Sequence, residues 1–301
     1  MNKKCEVIGI ESDKEIISHY YRFFNIDILL KSDSIDILNK IRGFFPHFYA
    51  RLDIDLKKNP DHTYQIYSKN NNFKFYDNDN FVYATDNLKN LLMNAEFTIF
   101  DNVVKQLDYV VLHAAMVSFK NDGILFAGLP RIGKTTLTIG LVKRGFRYLT
   151  DDLALIDEKT LKIMLFPKAM SIREKTMEIF DEIKGKIDRD DYYLESGQNK
   201  KWFMNIQDIF PDFIGEPCNV GYILFPTLDL EREPELVEIS KAQAVIELMK
   251  FSFRVNIEFE KTLDILTKLV ECTKGCYTLS VGKDLEKTLR LVERIVFERY
   301  E

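Results

Sequence analysis

Near the middle of the chain, Gly128-Leu129-Pro130-Arg131-Ile132-Gly133-Lys134-Thr135 has the spacing of a phosphate-binding loop: glycine, four free positions, Gly-Lys and a hydroxyl residue. Gly128 and Gly133 let the backbone curl so that successive N–H groups point at phosphate oxygens. The helix that starts near Lys134 adds the positive end of its dipole. Lys134 is expected to reach the outer phosphates, and the Thr135 hydroxyl to ligate magnesium. The loop and Thr136 would then cradle the phosphates of a nucleotide, with Mg2+ beside them. A coincidental Gly-Lys-Thr in a surface loop is the bland alternative.

The elements around the loop have to place it. Apolar residues 124–127 read as a buried strand, and 136–144 as an amphipathic helix closed by Gly145. Upstream, 109–119 reads as a strand joined to the loop strand through a turn at 120–123. That hairpin sets Ser118 opposite Ile124 and brings His113 close to Gly128 and Leu129. A lone histidine in an apolar strand can equally be a hydrogen-bonded core residue. Downstream, 146–150 reads as a strand ending in Asp151-Asp152, parallel to the loop strand through a right-handed crossover. The two carboxylates then lie near the phosphates. One can take a proton from an attacking hydroxyl and the other can hold the metal. The expected assignment is Asp151 as base and Asp152, with Thr135, as metal ligand; an ordinary polar turn is the alternative.

Composition narrows the function classes. With 42 basic against 47 acidic residues, net −5, there is no basic surplus to hold a nucleic-acid backbone. The 46% hydrophobic content suffices for a proper core. Cys5, Cys218, Cys272 and Cys276 do not join the histidines at metal-ligand spacing and read as reduced thiols. The start of the chain lacks a signal-peptide pattern and no long apolar run occurs, so a cytoplasmic protein without a membrane partner is expected.

Residues 1–100 read as a small α/β accessory domain with strands at 6–10 and 63–68 and loop histidines His47 and His62. Its role would be structural or substrate-selecting. A helix at 86–107 leads into the second domain, 101–301, which carries the loop. There 166–173 reads as a strand ending at Arg173, and 184–201 as a charged, mobile loop in which Lys200 and Lys201 are a solvated charge run. Further on come an inner strand at 220–225, a helix at 241–250 capped by Ser240, a strand at 277–281 and a helix from Asp284.

Leu112-His113-Ala114-Ala115, residues 123–128, Gly133-Lys134-Thr135-Thr136-Leu137, Lys143-Arg144-Gly145-Phe146 and Leu149-Thr150-Asp151-Asp152 together resemble HPr kinase/phosphorylase and its smaller relatives. The nucleotide-binding fold of that family is like that of phosphoenolpyruvate carboxykinase. The resemblance implies an α/β fold with a mixed sheet and an ATP-dependent, serine-directed kinase. It matches Lys134 and Thr135 to the phosphate and magnesium residues, Asp151 and Asp152 to the acidic pair, and His113 to a histidine beside the active centre. Pro130-Arg131 stands where HPr kinases usually carry Ser-Gly, and 160–220 lacks the Leu-Glu-Xaa-Arg-Gly-Leu-Gly signature of the bifunctional enzymes. The C-terminal half looks more like HPr-kinase-related proteins found beside peptide-modification genes, some of which phosphorylate lasso peptide precursors. A peptide or protein substrate, such as a ribosomal peptide precursor, is the partner this implies, and a homo-oligomer stays open. A small-molecule hydroxyl kinase, for free serine or a sugar, and a non-catalytic nucleotide-binding regulator are the alternatives.

Overall fold

Short aromatic and β-branched runs separated by two-residue Asn and Asp turns favour hairpins, and the chain opens with several. The computed structural model describes residues 15–50, 59–195, 199–253 and 257–298; the strand expected at 6–10, and Cys5, lie outside them. The described residues fall into two units, one running through Gln106 and including Asp190–Phe203, the other formed by the remainder.

The first unit is a six-stranded mixed sheet in the order β3-β1-β2-β4-β5-β6. Its strands are β1 (Ile17–Phe23), β2 (Ile26–Ser32), β3 (Tyr49–Ala50), β4 (His62–Lys69), β5 (Asn72–Asp77) and β6 (Asn80–Thr85), with helices α1 (Ile35–Phe44) and α2 (Leu88–Gln106). Asn70-Asn71 and Asn78-Asp79 all have positive φ, the conformation that tight hairpin turns demand. Helix α2 buries Leu91, Leu92, Ala95, Ile99 and Val103 at helical spacing, each large apolar side chain worth about 1.5–3 kcal/mol when fully covered. His62 opens β4 with its side chain only 15% exposed and paired to Asp77, so it is not the loop residue expected.

In the second unit the long strand β7 (Val110–Phe119) turns through Lys120-Asn121 into β8 (Asp122–Ala127), and helix α3 (Lys134–Lys143) follows the loop. Next come β9 (Arg147–Thr150), β10 (Leu153–Ile156), β11 (Ile163–Met164), β12 (Met170–Arg173), α4 (Glu174–Ile179) and α5 (Asp181–Lys184). The charged stretch expected to be a loop instead forms a hairpin, β13 (Tyr193–Leu194) with β14 (Lys200–Met204), belonging chiefly to the first unit. Lys200 and Lys201 lie over the Tyr192 and Phe203 rings there. The chain then runs through β15 (Val220–Leu228), β16 (Glu235–Glu238), α6 (Lys241–Lys250), β17 (Ser252–Phe253), α7 (Phe259–Glu271), β18 (Gly275–Val281) and α8 (Leu285–Phe297). The expected strand at 166–173 begins only at Met170.

The sheet order is β11-β10-β7-β8-β15-β18-β16, with β9 and β17 also on β7. β8, β15 and β18 are parallel, while β7, β10 and β16 run against their neighbours. The molecule is thus mixed α/β with mixed sheets. β8 is buried along its whole length, as a strand covered on both faces must be. Among the described residues no helix is long and apolar enough to cross a membrane.

One expectation about this sheet needs correcting: Ser118 pairs with Gly123, not Ile124, because Phe119 and Asp122 close a two-residue turn at Lys120-Asn121. β9 runs parallel to β8, as expected, with β7 standing between them and pairing antiparallel with both.

Candidate active site

β9 and β10 lie along the same edge of β7, with Thr150 opposite Met116 and Leu153 opposite His113. Asp151 and Asp152 therefore span the stretch of β7 between Met116 and His113. On the other edge of β7, Ala127 pairs with Ala114, and the Gly128 N–H donates to the His113 carbonyl at 3.5 Å. This one strand brings the loop, the histidine and the acidic pair together.

The loop ends in a helix start that no side chain caps. Gly133 occupies the cap position with φ +94, where a Cβ would be strained, and Arg131 adopts φ +70. Left-handed residues in such a loop turn backbone N–H groups into an anion-binding concavity, and the first-turn N–H groups of α3 point the same way. Lys134 is 6% exposed, and its ammonium donates to the Gly128 carbonyl at 2.7 Å and to the Leu129 carbonyl at 2.9 Å, with His113 Nε2 at 3.4 Å. Burial pulls Lys134 down to about 8 against the opposing charges of Asp152 and Asp151, and Arg173 adds to the depression. Thr136 Oγ1 lies 2.9 Å from Thr176 Oγ1 on α4. Leu129, by contrast, is 63% exposed.

The two aspartates occupy different environments. Asp151 is buried and accepts from the Thr135 hydroxyl at 3.3 Å on Oδ2 and from the Tyr148 hydroxyl at 3.1 Å on Oδ1. Burial, then the like charge of Asp152, pushes Asp151 up to about 7, while Lys168, Tyr148 and Thr135 pull it back. The Asp152 side chain is 49% exposed, with His113 Nε2 at 3.5 Å from Oδ1 and Lys168 Nζ at 3.7 Å from Oδ2. Burial works against its ionisation, but the hydrogen bond from His113 and the charges of Lys168, His113 and Lys134 hold it well below the usual carboxylate range. A single nitrogen, Nε2 of His113, faces both Lys134 and Asp152; without a proton it accepts from Lys134 and with one it donates to Asp152, so the protonation of Nε2 decides which bond exists.

Sequence spacing does not announce Tyr148 or Lys168. Tyr148 reads there as an ordinary strand residue, and Lys168 reaches the pair only through the turns between β11 and β12.

The donor set suits a hard cation. A hydroxyl and a buried carboxylate 3.3 Å apart supply only oxygen, as magnesium prefers, and an ion of that kind draws its other ligands from water and phosphate. No group of three or more His, Cys, Asp or Glu side chains gathers as a metal site among the described residues.

No family model and no curated protein matches the chain. Among solved structures, the Hpr(Ser) kinase/phosphatase from Coxiella burnetii is similar at 14% identity over 62% of this chain and 98% of that one, with a TM-score of 0.30. A likeness at that score decides nothing about fold or chemistry here.

Proposed function

We propose that the second unit binds ATP with magnesium at the Gly128–Thr135 loop and transfers the γ-phosphoryl group to a serine hydroxyl of a peptide or protein. The observation that carries this reading is the meeting of Lys134, Thr135, His113 and both aspartates around one uncapped helix start. Phosphoryl transfer relies on positioning and charge stabilisation, and these residues supply both.

Lys134 exchanges its two carbonyl partners for β- and γ-phosphate oxygens, and the loop amides hold the rest of the triphosphate. Thr135 and Asp151 would hold the magnesium, whose charge would offset that of the phosphates. Asp152 accepts the proton of the attacking hydroxyl, and His113 orients its carboxylate. This division reverses the expectation that made Asp151 the base. Asp151 is buried against Thr135, whereas the Asp152 side chain is half-exposed, where an incoming hydroxyl can reach it.

The test has two arms. Calorimetric titration of MgATP should show binding by the wild type and at least tenfold weaker binding by Lys134→Ala. Labelled ATP offered with serine-containing peptides, free serine, a sugar and water should mark the peptides. Label passing only to small hydroxyl compounds would make this a small-molecule kinase, and equal MgATP binding by both proteins would remove the site.

A further inference from the structure

The roles proposed above leave Lys168 unused. Lys168 is held from both sides: Phe166, 2% exposed, donates its N–H to the Leu149 carbonyl at 3.1 Å, the Lys168 N–H donates to the Phe166 carbonyl at 3.0 Å, and Ala169 is 1% exposed. Leu149 lies on β9, two residues before Asp151, so the segment bearing Lys168 is strapped to the strand that carries the acidic pair. The Lys168 side chain is 11% exposed, and its ammonium approaches Asp152 Oδ2, the oxygen not facing His113. Its charge also acts on Asp151.

An ion pair made only for stability is a poor use of such a lysine. An ion pair at 3.7 Å to a half-exposed carboxylate gains little, and desolvation of the ammonium offsets part of that gain. A preset cation beside the proton acceptor, however, sits where negative charge spreads over the transferred group.

We infer that Lys168 is a catalytic cation for the transferred phosphoryl group, held against Asp152 in the free protein and donating to the γ-phosphoryl oxygens once the nucleotide is bound. This rests on the kinase reading above. In the step itself the acceptor oxygen bonds to Pγ, and the bond from Pγ to the β,γ-bridging oxygen breaks with its electron pair leaving on ADP. The acceptor proton passes to Asp152, and Lys168 keeps its protons throughout.

The experiment compares wild type, Lys168→Met and Lys168→Arg in the full chain. MgADP affinity is measured with and without aluminium fluoride, which mimics the phosphoryl group in flight, alongside single-turnover transfer from ATP. The wild type should tighten on MgADP when the fluoride complex is added. Lys168→Met should bind MgADP within about threefold of wild type, lose that tightening and transfer about 10²- to 10³-fold more slowly, the usual loss for one preset donor. Lys168→Arg keeps the ion pair to Asp152 and hence the fold, but displaces the donor; its transfer should fall about tenfold or more. Normal tightening in Lys168→Met, or wild-type transfer in Lys168→Arg, would reduce Lys168 to a structural partner and overturn the inference. Failure of the wild type to bind MgADP or MgATP at all would be a different result, removing the nucleotide site on which the inference stands.

Discussion

At the scale of single residues, neighbouring carboxylates are forced into different work by what surrounds them. Asp151 has both oxygens turned toward hydroxyls in the interior, and Asp152 has its two oxygens turned toward His113 and Lys168 at a half-open surface. Asp151→Asn should therefore raise the magnesium concentration needed for half-maximal transfer, measured by metal titration. Asp152→Asn should leave MgATP affinity intact and slow the chemical step by about 10²- to 10⁴-fold in single-turnover assays. The opposite pattern would restore the expected roles. The loop and the acidic pair were legible because their spacing is local, and β7 carried His113 to them through hairpin pairing that a turn signal announces. Lys168 and Tyr148 were not legible, since no short-range pattern ties a residue after β11, or an aromatic inside β9, to a carboxylate across a turn.

Among the elements, α3 has the strictest demands because its first turn is the proposed phosphate site. Its far end is fixed by Arg144, which pairs with Glu286 and Glu293 of α8. Between those points Gly140 lets the helices approach closely: a Cβ there would stand 2.7 Å from Leu289 Cδ1 and 3.0 Å from Cδ2. Alanine could be absorbed by a rotation of the leucine tip, but a branched side chain could not. Gly140→Val should cost about 1–3 kcal/mol in denaturant unfolding. Combined with Leu289→Ala it should cost less than the sum of the two single changes, the sign of a shared contact; strict additivity would show that the helices do not meet as described. Helices α2, α6 and α8 could be placed from the sequence, with Ser240 and Asp284 capping the last two, whereas α3, expected to be amphipathic, is buried through every residue from Leu137 to Val142. Strand neighbours could not. Nothing local tells β9 that β7 intervenes between it and β8, and the hairpin of β13 and β14 was hidden by charges that its aromatic residues outweigh.

For the molecule as a whole, the two units should respond to pH with opposite slopes. In the first unit His19, 6% exposed with no hydrogen-bond partner at Nδ1, has its pKa lowered from 6.5, by burial first and then by the charge of Arg42, against a backbone hydrogen bond with Leu38. A lowered histidine binds fewer protons folded than unfolded, so its contribution is present above pH 6.5 and is lost as pH falls through that value toward the folded pKa. In the second unit Asp151 is raised from 3.8 to about 7. It binds more protons folded than unfolded, so its contribution is complete below 3.8 and is lost as pH rises through about 7. The windows overlap, and a global melting curve would average them. Hydrogen exchange resolved by peptide, corrected for the intrinsic pH dependence of exchange, separates them. Between about pH 8 and pH 5.5, protection should fall in β1, β2 and α1 and rise in β7, β9 and α3. His19→Gln should flatten the first slope and Asp151→Asn the second, each leaving the other unit's slope in place. Magnesium with ATP should reverse the sign in the second unit alone, because a bound cation favours the ionised carboxylate. Parallel slopes in both units, or slopes that persist in these two variants, would show that neither buried group governs the pH response.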